Sequence, residues 1–195
     1  MRQSEIKRTT KETDITLWLE LDGSGKSEID TGCGFLNHML TLFASHGRFD
    51  LKISCRGDYD IDYHHTVEDV GICLGLAFRE ALGNKKGINR YGNMILPMDE
   101  SLVMTAIDFS GRAFLSWDIE IHAQKVGNFD TELAEEFWRA FAGNSLCTLH
   151  FKQFAGKNAH HIIECAFKSA ARSISQAVRI NPEYADEIPS TKGVI

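Results

Sequence analysis

Apolar and polar residues alternate over Ile15-Thr16-Leu17-Trp18-Leu19-Glu20-Leu21, a period of two that predicts a strand with one buried face. A polar, alternating run over residues 4–13 leads into it. Asp22-Gly23-Ser24-Gly25 is a turn signal, and a short return strand over 26–30 is expected to complete a hairpin. Gly32 and Gly34 open a helix from about Phe35 to His46, which Gly47 ends. Leu51, Ile53 and Cys55 share one face of a strand over Asp50 to Cys55. After the turn Arg56-Gly57-Asp58, a helix runs from His64 to about Leu82, where Gly83-Asn84 stops it.

The same order then returns. A connection containing Arg90 and Pro97 leads to an apolar, β-prone stretch over Leu102 to Asp108. Ser110-Gly111-Arg112 turns the chain, and Phe114 to Ile121 reads as the return strand. Thr131 to Ala142 reads as a helix capped by Asp130 or Thr131, and Leu146 to Phe151 as a strand. Gly156-Lys157-Asn158 precedes a last helix that reaches about Val178. Both halves read strand, strand, helix, strand, helix. The expected fold class is α/β in the two-layer α+β sense: an internal duplication of a ββαβα half, with two sheets flanking a four-helix layer. The chain is expected to be a single catalytic domain made of two pseudo-repeats, about 1–92 and 93–195.

Composition narrows the class. A chain of 195 residues with 43% hydrophobic and 25% charged residues suits a soluble globular protein with one sizeable core. A net charge of -6 argues against nucleic acid as the main partner, while leaving room for a small anion held by a local cluster of Arg and Lys. Cys33, Cys55, Cys73, Cys147 and Cys165 form no CxxC pair and read as buried free thiols of a reduced, cytoplasmic chain. No apolar run is long enough to span a bilayer, so no membrane partner is expected.

The candidate chemistry lies at the start of the last helix of each half. His64-His65-Thr66-Val67-Glu68 and His160-His161-Ile162-Ile163-Glu164 both read His-His-x-x-Glu. The Glu is four residues after one His and three after the other, which places all three on neighbouring turns. Adjacent histidines diverge by roughly 100° on a helix. Each motif therefore offers a His-plus-Glu pair to one ion and leaves its other His for a second. Imidazole with carboxylate suits borderline divalent ions such as Mn, Fe, Co or Zn. His64 and His160 stand 96 positions apart, and the preceding helices align at 98, which sets His38 against Glu136. The ligand pool is then His38, His64, His65, Glu68, Glu136, His160, His161 and Glu164, four groups per ion. Four protein ligands leave two positions of a six-coordinate ion for substrate or water.

At these residues the chain resembles the imidazoleglycerol-phosphate dehydratase family. The resemblance covers almost the whole length. It runs through Arg8-Thr9-Thr10-Lys11-Glu12-Thr13, Gly34-Phe35-Leu36-Asn37-His38-Met39-Leu40 and Gly57-Asp58 followed by Ile61-Asp62. It continues through His64-His65-Thr66-Val67-Glu68-Asp69, Pro97-Met98-Asp99-Glu100 and Ser110-Gly111-Arg112. Gly156-Lys157-Asn158 and Pro189-Ser190-Thr191-Lys192-Gly193 complete it. Three positions depart: Asn37 stands where the family usually has Asp, Glu136 where His is frequent, and Tyr63 where a second Asp is common.

The resemblance implies a hydro-lyase of histidine biosynthesis. Imidazoleglycerol phosphate would lose water to give imidazoleacetol phosphate, through a metal-bound imidazolate and a diazafulvene-like intermediate. It implies two Mn²⁺ per active site, other divalent ions being possible. Glu12, Glu68 and Glu164 are the candidate catalytic carboxylates; Arg90, Arg112, Ser190 and Lys192 match the family's phosphate clamp, with Glu12 also facing substrate. It implies a homo-oligomer, a 24-mer built from trimers, with active sites at subunit interfaces. Two other readings use some of the same residues. A di-metal hydrolase acting on a phosphorylated metabolite would release phosphate. A metal-storage or metal-sensing shell would not need Arg90, Arg112 and Lys192 together.

Overall fold

The computed structural model describes residues 2–195. The first half contains β1 (Gln3–Thr9), β2 (Thr13–Glu20), β3 (Ser27–Asp30), α1 (Gly34–Gly47), β4 (Asp50–Gly57) and α2 (His64–Leu82). The second contains β5 (Tyr91–Met98), β6 (Ser101–Asp108), β7 (Phe114–Asp118), a small ribbon of β8 (Lys125–Val126) and β9 (Phe129–Asp130), α3 (Leu133–Ser145), β10 (Thr148–Ala155) and α4 (Ala159–Val178). Two four-stranded sheets, ordered β1-β2-β4-β3 and β5-β6-β10-β7, flank the four helices. Helices α1 and α2 lie on the first sheet, and α3 and α4 on the second. Across the middle, α1 packs on α4 and α2 on α3.

Each four-stranded sheet holds one strand more than the expected ββαβα unit, and the second half adds the β8–β9 ribbon. β1 reads as polar because it is an edge strand that buries only Ser4 and Ile6. β5 reads as a connection because it carries Pro97, and an edge strand tolerates a residue with no N–H to give. The expected hairpins are also corrected. β3 does not return along β2; it runs parallel to β4. Asp50 explains this: its Oδ1 accepts the N–H of Ser24 at 2.7 Å, Gly25 at 2.9 Å and Lys26 at 2.9 Å, which draws the loop to the start of β4. β7 likewise pairs in parallel with β10 and stops at Asp118 rather than Ile121. Beyond it, His122 lies in irregular backbone, not in a strand.

Helix starts are set locally. The Asn158 side chain caps α4, accepting the N–H of His160 at 2.9 Å and of His161 at 3.3 Å. Asp62 accepts the N–H of His64 at 2.7 Å. The cap expected for α3 is not used: Asp130 is in β9, and the Thr131 hydroxyl donates to Ala123 O at 2.7 Å instead.

The two helix pairs run parallel and close. Gly71 of α2 lies over Phe137 of α3, and Gly75 over Phe141. A Cβ at Gly75 would stand 2.6 Å from the Phe141 carbonyl oxygen and 2.9 Å from Asn144 Cβ. Gly75→Ala gains about 1 kcal/mol of helix propensity. Overpacking against backbone costs roughly 1–3 kcal/mol. The expected outcome is a net loss of about 1 kcal/mol, read as a lower urea midpoint. A gain in midpoint would mean the helix pair yields without strain.

Candidate active site

His38 from α1 meets His160 and Glu164 from α4. Glu164 Oε2 lies 3.3 Å from His38 Nε2 and 3.1 Å from His160 Nε2. The cap at Asn158 sets the first turn of α4, and the four-residue spacing stacks His160 over Glu164. Glu164 is buried, while His38 and His160 remain partly open to solvent. The Phe35 ring lies edge-on to His160, with centroids 5.2 Å apart. Among the described residues this is the one group of three such side chains whose donor atoms lie within 4.8 Å of one another. The fit to a divalent ion is good: neighbouring donors on a six-coordinate ion at about 2.1 Å stand about 3 Å apart. Two imidazoles and a carboxylate are a borderline donor set.

Lys168, one turn beyond, reaches Glu164 Oε1 at 2.5 Å. Burial pushes the Glu164 carboxyl up, but Lys168 and the two imidazoles outweigh it and hold it below the usual range. The group is therefore a carboxylate at neutral pH, as a ligand must be. Lys168 is the i+4 partner of Glu164 and lies outside the His-His-x-x-Glu pattern.

The mirror group is not assembled in the same way. The packing of Gly71 on Phe137 sets the turn before Gly71, with Glu68, beside the turn that carries Glu136. Yet His64, Glu68 and Glu136 do not form a cluster of the kind made by His38, His160 and Glu164, and Glu136 Oε1 faces Arg139 Nε at 3.7 Å.

His65 and His161 point elsewhere. His65 Nδ1 donates to Asp58 Oδ2 at 2.9 Å, and its Nε2 lies 3.8 Å from Glu12 Oε1. His161 Nδ1 donates to Glu100 Oε2 at 2.7 Å, and its Nε2 lies 3.9 Å from Asp99 Oδ2. The carboxylates raise both imidazoles above their ordinary value, the Asp58 and Glu100 hydrogen bonds leading. In return His161, then the N–H groups of Asn158 and Lys157, hold Glu100 down at about 2.

Glu12 sits on the tip of the β1–β2 hairpin. The Thr10 hydroxyl accepts the N–H of Glu12 at 3.1 Å and of Thr13 at 3.0 Å, which shapes the tip. Asp69 of α2 anchors it, accepting from Arg8 at 2.6 Å and from the Thr13 hydroxyl at 2.5 Å. Asp58, Asp69 and Glu100 stand inside recognisable motifs, but only the folded chain shows which side chains they hold.

A second concavity, of about 260 Å³, gathers Arg90, Arg112, Ser110, Ser190 and Lys192 from three distant segments. Arg90 is partly engaged within the chain, with three of its five N–H groups committed. Its Nε and Nη2 take both oxygens of Asp108 at 2.7 and 3.1 Å, and its Nη1 donates to Pro189 O at 2.9 Å. It thereby ties down the C-terminal segment that carries Ser190 and Lys192. Arg112 and Lys192 are exposed and have no carboxylate partner among the described residues.

Comparison with known proteins identifies the family. The family model described as imidazoleglycerol-phosphate dehydratase matches residues 31–174. The chain is 54% identical over 195 residues to a protein of that name from Prochlorococcus marinus, covering 100% of this chain and 97% of the relative. It is 55% identical to the one from Clostridium kluyveri, with 100% of both covered. A crystal structure of that enzyme from Staphylococcus aureus superposes with a TM-score of 0.84 at 41% identity, over 92% of this chain and 99% of the other. The structure from Pyrococcus furiosus gives a TM-score of 0.84 at 38% identity, over 97% and 100%. With the fold, the donor triad and these matches in accord, the chain belongs to the imidazoleglycerol-phosphate dehydratase family.

Proposed function

We propose that the chain is a hydro-lyase of histidine biosynthesis that converts imidazoleglycerol phosphate to imidazoleacetol phosphate and water. The observation that carries this reading is the convergence of His38, His160 and Glu164 on one donor set. The chemical problem is a carbon–hydrogen bond of low acidity beside an alcohol. The bond from the ring-bearing carbon to its hydroxyl breaks first, giving a diazafulvene-like species. The neighbouring proton then leaves, and the enol tautomerises to the ketone. When bound, two divalent ions, Mn²⁺ in the first instance, would stabilise the ring as its anion, and that anion's electron density would expel the hydroxyl.

This chain's own residues do the rest. His38, His160 and Glu164 hold one ion, and His64, Glu68 and Glu136 belong to the second. Glu12, on an anchored hairpin, and Glu164 move protons, with Glu68 the third candidate. Arg90, Arg112, Ser190 and Lys192 bind the phosphate, and Arg90 also fixes the segment that presents the last two. His65 and His161 stand outside the triad, which supports completion of the sites by neighbouring copies. The family resemblance implies the assembly: a homo-oligomer, a 24-mer of trimers, with active sites at subunit interfaces. The matching strand orders of the two sheets support a duplicated unit spanning about 1–92 and 93–195. No helix among the described residues is long and apolar enough to cross a membrane. The buried free thiols of Cys33, Cys55, Cys73, Cys147 and Cys165 suit a reducing compartment, and we assign the protein to the cytoplasm.

The test is direct. Protein stripped with EDTA and reloaded with Mn²⁺ is expected to form ketone from imidazoleglycerol phosphate without releasing phosphate. The stripped sample should be inactive. Free phosphate would point to a hydrolase, and ketone formation by stripped protein would remove the metal from the reaction.

A further inference from the structure

His65 and His161 are each held by a carboxylate from outside their own helix. Asp58, in the loop after β4, takes the Nδ1–H of His65 at 2.9 Å. Glu100, on the β5–β6 hairpin, takes the Nδ1–H of His161 at 2.7 Å. An ionised carboxylate only accepts, so each contact places the ring proton on Nδ1 and leaves the Nε2 lone pair free.

Both carboxylates are themselves constrained. Glu100 Oε1 accepts the N–H of Asn158 at 2.8 Å and of Lys157 at 3.2 Å. Asp58 Oδ1 is buried without a hydrogen-bond partner among the described residues, so the His65 ring is the contact that holds this group. The two halves also reach the same arrangement from different places. Asp58 is 7 residues from its histidine and Glu100 is 61 from its own. A by-product of helix geometry would not recur from unrelated loops.

We propose that Asp58 and Glu100 are positioning residues that lock His65 and His161 in the Nδ1–H tautomer. Each Nε2 is thereby aimed, as a ready donor, at an ion held by another copy of the chain. This rests on the reading of those two rings as ligands. Partners of this kind characteristically govern metal affinity through the ring they orient.

Glu100→Gln gives a sharp test. The two backbone N–H groups keep the amide oxygen, which turns the amide NH₂ toward His161. That NH₂ donates to Nδ1 and moves the ring proton to Nε2, where it blocks the lone pair. Long-range ¹H–¹⁵N spectra of the metal-stripped full chain should show Nδ1–H for both rings, and Nε2–H for His161 in the variant. Mn²⁺ affinity of the variant, from chelator competition, should fall about 10–100-fold. Asp58→Asn supplies an independent variant acting through His65. An Nε2–H tautomer in the unmodified chain overturns the proposal. So does a Glu100→Gln chain with unchanged tautomer and affinity, if His161→Ala weakens Mn²⁺ binding. If His161→Ala leaves Mn²⁺ stoichiometry and affinity intact, the ring is no ligand, and the proposal falls with that assignment.

Discussion

Glu164→Gln is expected to lower dehydration by about three orders of magnitude and leave the fold intact. The carboxylate is buried with His38 Nε2 at 3.3 Å, His160 Nε2 at 3.1 Å and Lys168 Nζ at 2.5 Å. An amide has nearly the same shape but carries no charge. The triad loses its one anionic donor, and Lys168 is left facing a dipole. Removing one charged group where charge develops costs several kcal/mol, and about 4 kcal/mol corresponds to roughly 10³ in rate. The check is kcat for ketone formation at saturating Mn²⁺, measured beside the stoichiometry of bound metal. Full activity would remove Glu164 from both the ligand and the proton-moving roles. Lost activity with retained metal would isolate the proton-moving role.

Trp138→Ala carries the largest expected effect on stability, about 3–5 kcal/mol. The indole is fully buried on α3 and touches both halves. Its ring centroid lies 4.9 Å from Phe167 of α4, 5.2 Å from Phe151 of β10 and 6.0 Å from Phe43 of α1. No single backbone shift can close a hole bounded by three elements. Trp138→Phe is expected to be much milder. Its Nε1–H is buried without a partner among the described residues, and such a donor costs about 1–3 kcal/mol. Denaturation midpoints at one protein concentration give the ranking, since an assembling protein gains stability with concentration. Equal losses for the two variants would sink the cavity explanation.

The helices, and the pairing of His160 with Glu164, were legible because their signals are local. A His-His-x-x-Glu run has its meaning fixed by the pitch of a helix, and α2 and α4 carry it where expected. The parallel pairing of β3 and β7 was not legible. A turn signal such as Asp22-Gly23-Ser24-Gly25 usually joins neighbours, and here it is overruled by Asp50, 24 to 26 residues away. Pro97 hid β5 for a related reason: its meaning depends on whether the strand lies at an edge, and only the sheet order decides that. In the site, the expected equivalence of two metal groups rested on the register of the halves. The chain assembles the group with His38 and leaves Glu136 facing Arg139, because a carboxylate at that position finds a guanidinium one turn away. The Arg90–Asp108 pair was not legible either, since the partner lies 18 residues off on the neighbouring strand.

The pairing of α1 with α4 also bears on how the protein is made. His38 emerges from the ribosome 126 residues before Glu164. At about 5–20 residues per second, that is a delay of roughly 6–25 s. Throughout it, the α1 face that carries Phe35 and His38 waits for a helix not yet synthesised. The first half must hold its shape by its sheet and by α2 alone. The donor set of His38, His160 and Glu164 is thus completed only when the chain is nearly finished.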